Sequence, residues 1–140
     1  MKKQKVLISA CLLGERVRYD GKANQIDNKL LDRWQAEKRI VSVCPEVCGG
    51  LAIPRPSAEL QADGSVKTQN GTDVSNAFQQ GAKQALALAL RFDIKIAILT
   101  EKSPSCGSTQ IYNGQFARQL IAGEGVTTRL LRAHGISVCN

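Results

Sequence analysis

Five cysteines stand at uneven spacing in this chain of 140 residues, at positions 11, 44, 48, 106 and 139. Three of them share a setting. Cys11, Cys44 and Cys106 each lie just beyond an apolar run, in stretches rich in turn formers: C-L-L-G, C-P-E-V-C-G-G and S-P-S-C-G. Thiols converging from three strand ends suit a soft metal, since thiolate ligates both zinc and iron–sulfur clusters. Structural zinc takes four ligands and favours pairs such as C-x-x-C, whereas the close pair here is Cys44 and Cys48, and the lone His134 falls in a helical stretch. Ferredoxin-type runs include a Cys-Pro step like Cys44-Pro45, and three cysteines on a [4Fe–4S] cluster would leave one iron open as a Lewis acid for a soft substrate atom. Glu46 is placed to act there as general acid or base, or is simply a surface carboxylate or helix cap. Ser103 and Ser105 could orient a substrate or water, or only satisfy turn hydrogen bonds. Cys139 reads as a buried structural thiol.

The elements that must position these residues follow from periodicity. Lys5–Ala10 is a strand buried on both faces, Ile40–Val43 a second and Ile94–Thr100 a third. Ile26, Leu30, Leu31 and Trp34 fall at helical spacing, with Asp27 or Asn28 as cap. Asp73 caps the longest helix, whose stripe of Val74, Phe78, Ala82, Ala85, Leu86 and Ala89 ends near Arg91. Val126–His134 is the last helix, with Leu130 and Leu131 inward and Gly135 closing it, before a short strand over Ile136–Val138. Ala58–Thr68 reads as a hairpin turning at Ala62-Asp63-Gly64, and Gln110–Gly123 as a loop with a short strand or turn at Ile111-Tyr112. Alternating strands and helices predict one α/β domain over 1–140, with a mostly parallel sheet and a β-hairpin insertion. That class binds ligands beyond the carboxyl ends of its strands, at a topological switch point, which is where the three cysteines fall.

Composition bounds the partners. Hydrophobic content of 43% with 22% charged residues is that of a soluble globular protein, and 4% aromatics demand an aliphatic core. Val6-Leu7-Ile8 is too short an apolar run for a signal peptide, and nothing in the sequence is long enough to span a bilayer, so a cytoplasmic location is expected. In that reducing compartment, cysteines serve as metal ligands or reactive thiols rather than disulfides. The net charge of +7 favours anionic partners, but the basic residues are dispersed, so RNA is permitted and not indicated.

Several stretches together resemble the thiouracil desulfidase (TudS) family, formerly a domain of unknown function. They are S-A-C-L-L-G with V-R-Y-D-G (9–21), C-P-E-V-C-G-G-L (44–51), P-R-P-S-A-E-L (54–60), G-T-D-V (71–74), K-S-P-S-C-G-S (102–108), I-Y-N-G-Q-F (111–116) and G-E-G-V-T-T-R-L-L (123–131). The resemblance implies a small Rossmann-like, three-layer αβα fold and a [4Fe–4S] cluster on Cys11, Cys44 and Cys106, with Cys48 as the alternative to Cys44. It further implies non-redox removal of sulfur from a thiolated pyrimidine by a monomer or homodimer. The substrate sulfur would bind the open iron, while Glu46, Ser103 and Ser105 serve proton transfer and positioning. Two other readings stand beside it: desulfuration of thiouridine in RNA, and a non-catalytic module binding zinc or a cluster.

Overall fold

The computed structural model describes residues 4–16, 18–22 and 28–139. The apolar run Val-Leu-Ile-Ser becomes β1 (Val6–Ser9), buried at every position as a central parallel strand must be. Next come α1 (Lys29–Ala36), β2 (Ile40–Val43), the single turn α2 (Pro45–Cys48), and the hairpin of β3 (Ala58–Leu60) and β4 (Val66–Thr68). The chain continues through α3 (Ser75–Arg91), β5 (Ile96–Ile98), β6 (Gln110–Tyr112), β7 (Leu120–Ala122), α4 (Val126–Ala133) and β8 (Ser137–Cys139).

The central sheet has the order β2-β1-β5-β8, with every pair parallel. Register runs from Val6 opposite Ile40 to Ser9 opposite Val43 on one side of β1, and sets Leu7 against Ala97 on the other. Alternation of side chains then separates two cores. Leu7, Ala97 and Leu99 pack with Ala85, Ala89 and Leu131 from α3 and α4. Val6 and Ile8 pack with Leu31 of α1, with Ile98 and Trp34 at the margin. The result is helix, sheet, helix, as expected. The chain leaves β1 toward β2 and returns on its other side as β5, so the switch point lies between β1 and β5. Among the described residues, no helix is long and apolar enough to cross a membrane.

Helix starts follow the side-chain chemistry. Asn28 Oδ1 accepts the Leu30 N–H at 2.8 Å, while Ile26 and Asp27 lie outside the described residues. Asp73 Oδ1 accepts the Ser75 N–H at 2.8 Å, one residue ahead of the helix boundary. Four details depart from the sequence reading. The third strand pairs only over Ile96–Ile98, and the last one is displaced to Ser137–Cys139. Gln110–Gly123 contains a second antiparallel hairpin, with Gln110 opposite Ala122 and Tyr112 opposite Leu120. Cys139 is exposed rather than buried, because it alternates with the inward-facing Val138 on an edge strand.

Candidate functional site

Each cysteine of interest is set by a different local device. Cys11 lies in a 3-10 turn (Ala10–Leu13) directly after β1, closed by Gly14 at φ 93°. Cys44 ends β2 and precedes Pro45, which opens α2 at a position where a missing N–H costs nothing. α2 is then pinned by bare backbone: a Cβ on Gly81 would stand 1.8 Å from the Pro45 carbonyl oxygen, and one on Gly49 1.9 Å from that of Ala77. Only glycine permits that approach between α2 and α3. Cys106 lies in the loop after β5, which the first turn of α4 grips. The N–H groups of Val126 and Thr127 donate to the carbonyls of Pro104 and Ser105, each at 2.9 Å, and Thr128 Oγ1 donates to the Cys106 carbonyl at 2.9 Å. A Cβ on Gly125 would meet the Ser105 carbonyl group at 2.4 Å, so this contact too requires glycine.

The three thiols are joined by neighbours as well as by topology. Cys11 Sγ lies 2.8 Å from Thr100 Oγ1, just past β5. The Thr100 N–H donates to Ser9 Oγ at 2.9 Å across β1. The Ser9 hydroxyl in turn favours the thiolate of Cys106. Cys106 also feels the charges of Glu46 and Cys44, and Cys11 is linked to the same region through Thr100 and Ser9, beyond the carboxyl ends of β1, β2 and β5.

Electrostatically the cavity disfavours bare anions. Burial, with the Glu46 charge behind it, pushes the Cys106 thiol up to about 12 against the opposing Ser105 and Ser9 hydroxyls. Burial also raises Cys44, with the Val47 N–H pulling the other way. A buried thiol and a half-buried one that repel each other as thiolates, beside a carboxylate, form a donor set that a cation would relieve, since metal binding deprotonates a coordinating thiol. Among the described residues, no group of three or more His, Cys, Asp or Glu is already gathered closely enough to hold a metal ion.

The remaining residues sort by exposure. Burial raises the Glu46 carboxyl above its usual range, opposed by Arg55, whose Nε and Nη2 each lie 3.4 Å from Glu46 Oε1. Ser103 Oγ accepts the N–H groups of Ser105 and Cys106, both at 3.1 Å, which leaves its own proton to donate. Ser105 is fully buried, with its hydroxyl 2.7 Å from Thr127 Oγ1, and so is enclosed rather than facing a substrate. Cys48 is exposed on the far turn of α2, and Cys139 and His134 are exposed at the other end of the molecule's chain order. Arg55, Ser9 and Thr100 were not foreseen as site residues. Arg55 lies between two prolines in P-R-P, and Ser9 and Thr100 are the hydroxyls that end two otherwise apolar runs, which is the signal that could have found the latter pair.

A sequence model for 2-thiouracil desulfurase matches residues 6–140, from the first strand through the last. The chain belongs to the 2-thiouracil desulfurase family. A solved structure described as the [4Fe-4S]-dependent thiouracil desulfidase TudS is 52% identical and superposes with a TM-score of 0.96, covering 98% of this chain and 90% of that one. An uncharacterized protein of Bacillus subtilis (strain 168), YbbK, is 40% identical over 144 residues, or 95% of this chain and 93% of the relative. The desulfurase family match thus spans all three cysteine corners as well as the fold.

Proposed function

We propose that this chain is an enzyme that holds a [4Fe–4S] cluster on Cys11, Cys44 and Cys106 and removes sulfur from thiouracil or a related small thiolated pyrimidine. The observation that carries the reading is the placing of Cys11, Cys44 and Cys106 just past three neighbouring parallel strands, with Cys106 sensing both Cys44 and the raised carboxyl of Glu46. Likeness to a protein described as a [4Fe-4S]-dependent thiouracil desulfidase supports the cofactor and the substrate class.

The net reaction exchanges a thiocarbonyl with water, giving a carbonyl and hydrogen sulfide, with no electron gained or lost. When bound, the cluster held by Cys11, Cys44 and Cys106 would supply a Lewis-acidic iron without a cysteine, able to polarise the thiocarbonyl sulfur. The chain's own residues manage the proton and the geometry. Glu46 takes a proton from the attacking water and returns it to the departing sulfur; its raised affinity for protons brings it nearer the working pH. Arg55 holds Glu46 Oε1, which orients Oε2 toward the water. Ser103, whose oxygen already accepts two N–H groups, donates its proton to a polar atom of the pyrimidine. Ser105 and Thr127 hold the Cys106 loop against α4. Cys48, exposed and one helical turn away, is not a ligand in this reading.

The test is anaerobic reconstitution with iron and sulfide, removal of excess reagents, and incubation with 2-thiouracil and 4-thiouracil. Uracil and sulfide should appear in equal amounts. A protein that holds its cluster yet releases no sulfide from any thiopyrimidine would sink the substrate assignment.

A further inference from the structure

Two hydroxyl residues stand at the carboxyl ends of the two central strands, one in β1 and one just past β5. Ser9 closes β1 and is almost fully buried, and Thr100 follows β5 and is half-buried. Burying a hydroxyl costs free energy unless it is hydrogen-bonded, so each needs a partner at this depth. The partners form a chain. The Thr100 N–H donates to Ser9 Oγ at 2.9 Å, which occupies the serine oxygen as an acceptor and leaves its proton to donate. The Thr100 hydroxyl stands 2.8 Å from Cys11 Sγ, and a thiolate there can only accept.

We infer that Thr100, held by Ser9, is a positioning residue that donates an O–H···S hydrogen bond to Cys11, fixing one of the three cluster thiolates and setting the cluster's reduction potential. This rests on the desulfidase reading, in which that sulfur is a ligand. The backbone bond between the two hydroxyl residues couples them, so the pair acts as a crosspiece between the ends of β1 and β5 at the switch point. Donation to a ligand sulfur draws charge from it and stabilises the more negative, reduced cluster, so each donor raises the potential. It also removes rotational freedom from the ligand, as outer-shell partners of metal ligands do.

The experiment compares wild type, Thr100→Val, Thr100→Ser and Ser9→Ala after anaerobic reconstitution. It reads iron content and the midpoint potential from an EPR-monitored redox titration. Val keeps the volume of Thr without the hydroxyl, and Ser keeps the hydroxyl. We expect a more negative potential in Thr100→Val, with Thr100→Ser at the wild-type value and Ser9→Ala, which frees the Thr100 N–H, shifted in the same direction by less. Cluster loss in Thr100→Val with retention in Thr100→Ser would support the same assignment. A wild-type potential in Thr100→Val, or equal shifts in Thr100→Val and Thr100→Ser, would overturn it. A wild-type protein that takes up no cluster would overturn the desulfidase reading itself, so the two failures are distinct.

Discussion

Glu101 carries no assigned chemistry, yet its replacement by Gln should disturb the site through the loop that bears Cys106. Its carboxylate accepts the N–H groups of Ser108 at 3.0 Å, Thr109 at 3.1 Å, Gln110 at 3.0 Å and Lys102 at 3.2 Å. It also accepts the hydroxyls of Ser108 at 2.8 Å and Thr109 at 3.1 Å. The loop between these donors and Glu101 holds Ser103, Ser105 and Cys106, so the carboxylate closes a ring around the ligand. Burial pushes Glu101 up, but the N–H groups of Gln110 and Thr109 and the Ser108 hydroxyl outweigh it and hold the carboxyl at about 2, against 4.5 ordinarily. Unscreened, that difference corresponds to about 3 kcal/mol. Solvent reaches the group, so about 1–2 kcal/mol is the expected contribution at neutral pH. Gln keeps the shape, and its amide nitrogen can donate to the two hydroxyls if they turn, so the loss is chiefly that of the charge. A carboxyl lowered by folding stabilises fully above its ordinary value and loses that effect as pH falls from about 4.5 to about 2. Urea unfolding of wild type and Glu101→Gln should therefore differ most near neutrality and converge on acidification. Equal midpoints at neutral pH, or a gap that persists in acid, would refute the reasoning.

Other consequences are as direct. Gly81→Ala forces a Cβ into the Pro45 carbonyl, a backbone clash that no rotamer relieves; overpacking of this kind costs about 1–3 kcal/mol, and calorimetry should show it together with poorer iron retention. Ser103→Ala should lower sulfide release per bound cluster and, since two loop N–H groups lose their acceptor, also cost about 0.5–2 kcal/mol in melting. Ser105→Ala should act mainly on stability and cluster retention: it strands the buried Thr127 hydroxyl at a cost of about 1–3 kcal/mol in urea titration and removes a hydroxyl that favours the Cys106 thiolate, while sulfide release per bound cluster stays nearer wild type than in Ser103→Ala. If both serine variants behaved alike, the division between a facing and an enclosed hydroxyl would fail.

The parallel sheet was legible because β1 and β2 are short runs rich in aliphatic and β-branched residues, and the placing of Cys11, Cys44 and Cys106 past strand ends followed from the α/β class. The second hairpin was legible only in its first half, at Ile111-Tyr112. β7 is three residues long, Ile121 is 47% exposed, and the turn before it places Phe116 and Arg118 at positive φ without glycine, so no alternation announces the returning strand. Glu46 could be named as an acid or base, but its partner Arg55 belongs to no periodic element, and only tertiary packing brings it alongside. Glu101 gave no signal either. Its donors are four backbone N–H groups and two hydroxyls of a loop, and a loop's conformation is not written in spacing. Exposure separated Ser103 from Ser105, which sequence had treated as equivalent.

The central claim is that Cys11, Cys44 and Cys106 hold one cluster, and iron analysis of anaerobically reconstituted single Cys→Ser variants tests it most directly. Wild type and Cys48→Ser should bind about four iron and four sulfide per chain, with the brown absorption of a cluster. Cys11→Ser, Cys44→Ser and Cys106→Ser should each lose both. A Cys44→Ser protein that keeps its cluster while Cys48→Ser loses it would contradict the account.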